Sequence, residues 1–286
     1  MKILVTGATG NVGAALTRRA VKSGVKTRTA VRNLEKASDL FAGLDVETVH
    51  FDFFVPSTYQ SALAGVEALF LVAPPGDPNE IDKIVINFID MAFEQGCKHI
   101  TFCSARAAAH IKRPLSMHKI ERYLENAGGG YTILRPSWFM QNFNTMLANP
   151  IKYTKAISLP CGDAKCSFID VDDIAEIALK TLIEAGHDGK MYTLSGAEAL
   201  SFADAAQKIS SASGQEISYI DIPADAFIGG MQKRGMPDGA AKFLGFLFDL
   251  LKQGTEEEVL PDAETILGRK PITFDNYANT HASAWA

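Results

Sequence analysis

The sequence predicts an α/β protein built on a doubly wound parallel sheet. Three observations carry this. Through its first half, short apolar segments alternate with longer segments of helical periodicity. The apolar segments are nearly continuous rather than alternating, as strands covered on both faces must be. Gly24, Gly96 and Gly128 stop three of the helical segments, so each helix can return as a crossover to a parallel strand.

The elements follow in order. Residues 2–6 read as a buried strand. Over 11–23, Val12, Leu16 and Ala20 share one helical face. Residues 26–31 and 45–51 read as the second and third strands, with a helix over 57–63. The run ALFLVA at 68–73 is the fourth strand, ended by Pro74 and Pro75. An amphipathic helix over 81–95 leads to a fifth strand at 99–104, then a helix over 115–126 and a sixth strand at 131–134. After Arg135-Pro136 the rhythm changes. A strand is expected at 167–171, then a helix over 171–185 with Asp172 or Asp173 near its start, where a carboxylate suits the dipole. Later strands are expected at 192–194 and 217–222, and a helical stretch rich in Phe, Leu and Gly at 225–254.

Composition narrows the class. The chain has 286 residues, 47% hydrophobic and 21% charged, the balance of an ordinary globular protein. A net charge of −5 argues against non-specific nucleic-acid or anionic-membrane partners. No signal-peptide pattern and no membrane-length apolar run is visible, so a cytoplasmic protein is expected. Cys97, Cys103, Cys161 and Cys166 are then reduced thiols, and no ligand cluster near Cys161 and Cys166 suggests a metal.

The chemistry begins at Thr6-Gly7-Ala8-Thr9-Gly10-Asn11-Val12-Gly13, between the first strand and the first helix. In a dinucleotide loop the first glycine turns the chain, the second admits the pyrophosphate, and the third lets helix and strand approach. The helix N-terminus then offers N–H groups and its dipole to phosphate. The spacing here is G-x-x-G-x-x-G rather than G-x-G-x-x-G. Gly7, Thr9, Gly10, Asn11, Val12 and Gly13 are the expected cofactor contacts.

This loop resembles that of the extended and atypical branches of the short-chain dehydrogenase/reductase superfamily, which implies a Rossmann domain and NADP or NAD. An NAD site places an acid at the end of the second strand, roughly 20 residues past the loop. Here Ala30-Val31-Arg32-Asn33 stands there. Either Arg32 grips a 2′-phosphate through its planar fork, with Lys36 as a second cation, or it is a solvated loop residue. NADP(H) is preferred, with NAD(H) the other reading. By the same resemblance, Asp52-Phe53 would lie at the adenine and Ala73-Pro74 over the adenosine ribose; each also fits an ordinary loop.

Superfamily enzymes use Tyr-x-x-x-Lys as proton donor and its support. Alignment through Glu121 and the YTILRP strand puts Arg113 at the Tyr position and Met117 at the Lys position. The remaining pattern resembles the atypical NmrA-like, NAD(P)H-binding family: TGATGNVG, AVRNLEKAS, His118 three residues before Glu121, LRPSWFMQNF, FIDVDDIAEIAL and GRKPITFDNYA. The resemblance implies a sheet domain over 1–140, joined by 166–185, and a smaller C-terminal α/β substrate-binding region, a lid, made of 141–165 and 186–286.

Without a general acid, ketone reduction should lose on the order of 10²–10⁴-fold. An iminium or cationic dye needs no such acid, and a quinone delocalises the incoming charge. The expected activity is therefore NAD(P)H-dependent reduction of an electron-poor conjugated acceptor, a small molecule, by a monomer or homodimer. Ser104, ending the fifth strand, either bonds near the nicotinamide or caps the next turn. His118 is a proton donor, a ring over the ligand, or a surface residue. Trp138, Phe139 and Asn142 resemble the family segment bordering the substrate, or belong to the core. Residues 226–251, with Phe227, Met231 and Phe248, either line a pocket or pack on themselves. The competing expectation is a non-catalytic NADP(H)-binding redox sensor acting through a regulatory partner.

Overall fold

The computed structural model describes residues 1–111 and 115–286. Arg113, aligned above with the superfamily's Tyr position, lies outside the described residues. The chain forms two compact units, Met1–Arg135 with Val171–Thr193, and Pro136–Asp170 with Leu194–Ala286.

The first unit holds a seven-stranded sheet. Its strands are β1 (Lys2–Val5), β2 (Lys26–Val31), β3 (Glu47–His50), β4 (Ala68–Val72), β5 (His99–Cys103), β6 (Gly130–Pro136) and β7 (Lys190–Leu194), in the order β3-β2-β1-β4-β5-β6-β7. Every pair from β3 through β6 is parallel. The chain starts at β1, winds outward to β3, then crosses to β4 and winds the other way. The β1–β4 junction is thus the switch point, where the loops leaving the two strands diverge and open a crevice.

Both faces are covered. In β4, Ala68, Leu69, Phe70 and Leu71 are all buried although they point alternately to opposite faces. On one face α1 (Asn11–Lys22) lies along α6 (Val171–Ile183), and Arg19 pairs with Glu176 at 3.1 Å. The other face, under α3 (Tyr59–Leu63), α4 (Ile81–Glu94) and α5 (Ser116–Leu124), carries an aromatic cluster of Phe51, Phe53, Tyr59 and Phe88.

Three features depart from the reading of the sequence. A helix, α2 (Leu34–Leu40), follows β2, capped by the Asn33 side chain, which accepts from the Lys36 backbone N–H at 2.9 Å. No strand forms over 167–171; Ile169 makes only an isolated pairing with Phe139, and the strand lies earlier, at Lys165–Cys166. Residues 186–193, assigned above to the smaller region, belong to the first unit, and β7 joins its sheet. Asp188 and Gly189 anchor its start through bonds to the Tyr131 N–H and carbonyl, at 2.9 and 2.8 Å. β7 thereby covers the edge that β6 would otherwise leave unpaired.

The second unit packs around Phe143, Phe168, Phe202, Phe248, Phe274 and Trp285, all buried. Strands Ala156–Leu159 and Ser218–Asp221 pair in parallel, with helices Ala148–Thr154, Phe202–Ser213, Ala224–Lys233, Asp238–Lys252, Asp262–Leu267 and Phe274–Thr280 around them. Helix Phe202–Ser213 opens on a reciprocal box between Ser201 and Asp204. The helical stretch expected at 225–254 is two helices, broken at Gly235 (φ +90°). Among the described residues no helix is long and apolar enough to cross a membrane.

Candidate functional site

The glycine loop sits at the switch point. Val72 donates its backbone N–H to Thr6 Oγ1 at 2.8 Å, tying the ends of β1 and β4 together. Gly7 has φ +59°, a conformation that penalises a side chain. Gly10 donates to the Gly7 carbonyl at 2.9 Å and caps α1 in an extended conformation with no side chain accepting from the first turn. The leading N–H groups of α1 have no side-chain acceptor, and no acidic side chain stands in that turn. A Cβ on Gly13 would lie 2.3 Å from the Gly7 carbonyl oxygen and 2.8 Å from Ala8 Cα. Loop and helix therefore meet at a distance only glycine permits. Asn11 is exposed, Thr9 half-buried and Val12 buried, so Val12 offers its backbone rather than its side chain.

Arg32 and Lys36 are exposed beyond β2. The Arg32 guanidinium has no hydrogen bond or ion pair among the described residues, while Lys36 lends its backbone N–H to the Asn33 cap. Asp52 is half-buried and its Oδ1 accepts from the Phe54 N–H at 2.9 Å. The Phe53 ring is buried in the aromatic cluster against Phe51 and Phe88, which leaves its backbone for any contact at the surface. Ala73 and Pro74 are half-buried immediately after β4.

At the carboxyl end of β5, Ser104 is buried and donates to Glu121 Oε1 at 2.6 Å. Its hydroxyl does not cap the following 3₁₀ turn, where no side chain caps. Arg135 holds the same carboxylate in a fork, Nε to Oε1 at 2.9 Å and a terminal nitrogen to Oε2 at 2.5 Å. Glu121 is only 1% exposed. His118, one helical turn earlier, places Nδ1 3.7 Å from Glu121 Oε2, and that nitrogen is buried without a hydrogen-bond partner among the described residues. The ring is otherwise open, with 41% of the side chain exposed. α5 thus presents His118 beside a carboxylate held by β5 and β6. In the sequence Glu121 and Arg135 stand out only as parts of the family pattern, and nothing there joins them. The available signal was His and Glu three apart on one helical face. Met117 packs on the apolar core beneath the helix.

The four cysteines are free and buried. Burial pushes Cys97 up to about 11 and Cys103 up to about 12, and raises Cys161 further, so these thiols are poor nucleophiles at neutral pH. Among the described residues no three His, Cys, Asp or Glu gather as a metal-ligand group. In the second unit, Trp138 stacks on Phe248 with centroids 4.9 Å apart and is part of that core's edge. Phe139 and Asn142 are half-buried, and the side-chain amide of Asn142 makes no hydrogen bond among the described residues.

Comparison with known proteins places the chain among similar ones. The NmrA-like family model matches residues 1–278. NAD(P)H azoreductase of Xenophilus azovorans is 31% identical over 99% of this chain and 99% of its own length. Quinone oxidoreductase 2 of Escherichia coli is 30% identical over 85% of each chain. The Citrobacter sp. triphenylmethane reductase, solved in complex with NADP(H), is 26% identical and superposes over 99% of this chain and 100% of its own with a TM-score of 0.83.

Proposed function

The chain belongs to the NmrA-like family, and on that premise we propose that it is an NADPH-dependent reductase of electron-poor conjugated acceptors: quinones, iminium compounds or cationic aromatics. The observation that carries this reading is the Gly7–Gly13 cradle, in which the Gly13 Cβ position lies 2.3 Å from the Gly7 oxygen and α1 opens without a side-chain cap. These residues fit a pyrophosphate. The backbone of Gly10, Asn11, Val12 and Gly13 would face the phosphates, with Thr9 beside them. The unpaired Arg32 guanidinium, with Lys36 nearby, would grip a 2′-phosphate. Asp52, Phe53, Ala73 and Pro74 would line the adenosine. When bound, the cofactor supplies hydride.

The protein's own part is alignment and proton supply. Ser104 donates its hydroxyl hydrogen bond to Glu121 and so acts as a fixed post rather than a free acid. His118 is the proposed proton source beside this post, with one ring edge turned to Glu121 and the other open. Trp138, Phe139 and Asn142 are the proposed substrate contacts. Azoreductase, quinone reductase and triphenylmethane reductase relatives support this acceptor class.

The test is NADPH oxidation, followed by absorbance, across a panel of quinones, iminium compounds and cationic dyes. Saturable turnover well above the uncatalysed rate is expected. Tight NADPH binding with no turnover across the panel would replace the enzyme with the sensor reading. Arg32→Glu should raise the KM for NADPH at least tenfold and leave that for NADH within about threefold, since roughly 1.4 kcal/mol corresponds to each factor of ten.

A further inference from the structure

The second unit contains a recess of its own, about 200 Å³ in volume, between helix Ala148–Thr154, strand Ala156–Leu159 and helix Ala224–Lys233. Its wall is mostly apolar, with Met146, Leu159, Ile222, Phe227 and Met231, and Thr154 and Ser158 add two hydroxyls. Arg234 lines it, and lines a neighbouring recess together with Tyr153. The Arg234 guanidinium has no ion pair or hydrogen bond among the described residues. Beside it, Tyr153 is 76% and Met146 41% exposed.

The sequence of the helix that forms one wall is costly for folding alone. Gly229 and Gly230 stand together in its interior, and each weakens a helix relative to alanine. Neither has a positive φ, and a Cβ at either would meet nothing within 4 Å. Backbone conformation and crowding therefore do not explain them. Gly230 lines the recess, so its missing side chain is empty volume inside it. An apolar cavity of about 150 Å³ is enough to hold a benzene ring. Methionine walls adapt to flat ligands, and a lone guanidinium at the edge selects negative charge.

We propose that this recess binds a small aromatic anion, an apolar ring system with a single sulfonate, carboxylate or phosphate directed at Arg234. The ring fills the space that Gly230 leaves, against Phe227 and the two methionines. This site is separate from the reading of the glycine loop: every residue it uses lies in the second unit, and it binds whether or not the chain turns over NADPH.

The test uses the full chain and two probes, naphthalene-2-sulfonate and the uncharged 2-naphthalenemethanol, with affinities from calorimetry and ligand-observed NMR. Arg234→Ala should weaken the sulfonate at least tenfold and leave the neutral probe within twofold. Gly230→Leu should abolish binding of both while thermal unfolding stays at or above that of the parent chain. Ala226→Phe, which fills the same recess from the preceding turn, serves if Gly230→Leu fails to fold. NADPH affinity, measured on each folded variant, should not change. Failure of the sulfonate to bind the parent chain at millimolar concentration would overturn the proposal. So would full binding in the filled variants, or equal loss of both probes in Arg234→Ala.

Discussion

The Glu121 joint makes a quantitative demand on stability. Its carboxylate is 1% exposed and its partner Arg135 is 15% exposed, with two charge-assisted bonds at 2.5 and 2.9 Å and a third from Ser104 at 2.6 Å. Arg135→Met strands a buried carboxylate with one neutral donor; Glu121→Leu strands a buried guanidinium and the Ser104 hydroxyl. Breaking a buried pair from one side costs about 3–5 kcal/mol, because the remaining charge stays desolvated. With thermal midpoints moving roughly 2–4 °C per kcal/mol in a unit of this size, each single variant should melt roughly 6–20 °C lower. Removing both charges leaves only the Ser104 hydroxyl without its acceptor, about 1–3 kcal/mol. The Glu121→Leu/Arg135→Met double variant should therefore be more stable than either single one. Circular-dichroism melts and urea titrations of the four chains complete the cycle. If the double variant loses as much as the two singles together, the joint is not a coupled charge network and the assignment of its role is wrong.

Other outcomes follow from single contacts. Gly13→Ala puts a methyl 2.3 Å from the Gly7 oxygen, so α1 must shift; NADPH affinity by fluorescence titration should drop at least tenfold, whereas Gly10→Ala, with 3.2 Å to the same oxygen, should lose less. His99, mostly desolvated in β5 and bonded to Thr132 Oγ1 at 3.0 Å, is held below its usual value of 6.5 by burial, with His187 adding to the effect and Asp188 opposing it. The unfolded chain then binds the proton more readily, so stability present above pH 6.5 is lost on acidification through the lowered value. Urea midpoints should fall between pH 7.5 and pH 5.5, and His99→Gln should flatten that slope; an unchanged slope would assign it to other groups. Ser201→Ala removes the side-chain half of the helix cap, leaving the backbone N–H of residue 201 on Asp204, and should cost about 1 kcal/mol in urea unfolding, with Ser201→Thr retaining most of it.

Much of the first unit was legible because its code is local. A short apolar run such as ALFLVA, ended by Pro74 and Pro75, reads as a strand buried on both faces, and TGATGNVG carries its turn, its cap and its close approach within eight residues. Helix α2 was missed although Asn33 is an ordinary cap, because its seven residues bury only Ala37 and show little amphipathic pattern. The strand expected at 167–171 failed for another reason. Phe168 is packed in the second unit's core and Ile169 is buried, and apolarity alone does not specify pairing.

By itself the sequence determined the alternation of strands and helices, the glycine cradle and the missing acid after β2. Each is set by residues adjacent along the chain, whose conformational preferences act over a few positions. Only the tertiary structure decided that β7 closes beside β6, and that Ser104, His118 and Arg135 converge on one carboxylate. It also decided that Phe53 and Trp138 turn toward packed rings and that Gly230 faces empty space beside Arg234. These depend on pairings between distant residues, whose free energy comes from desolvation and burial that exist only once the chain is packed.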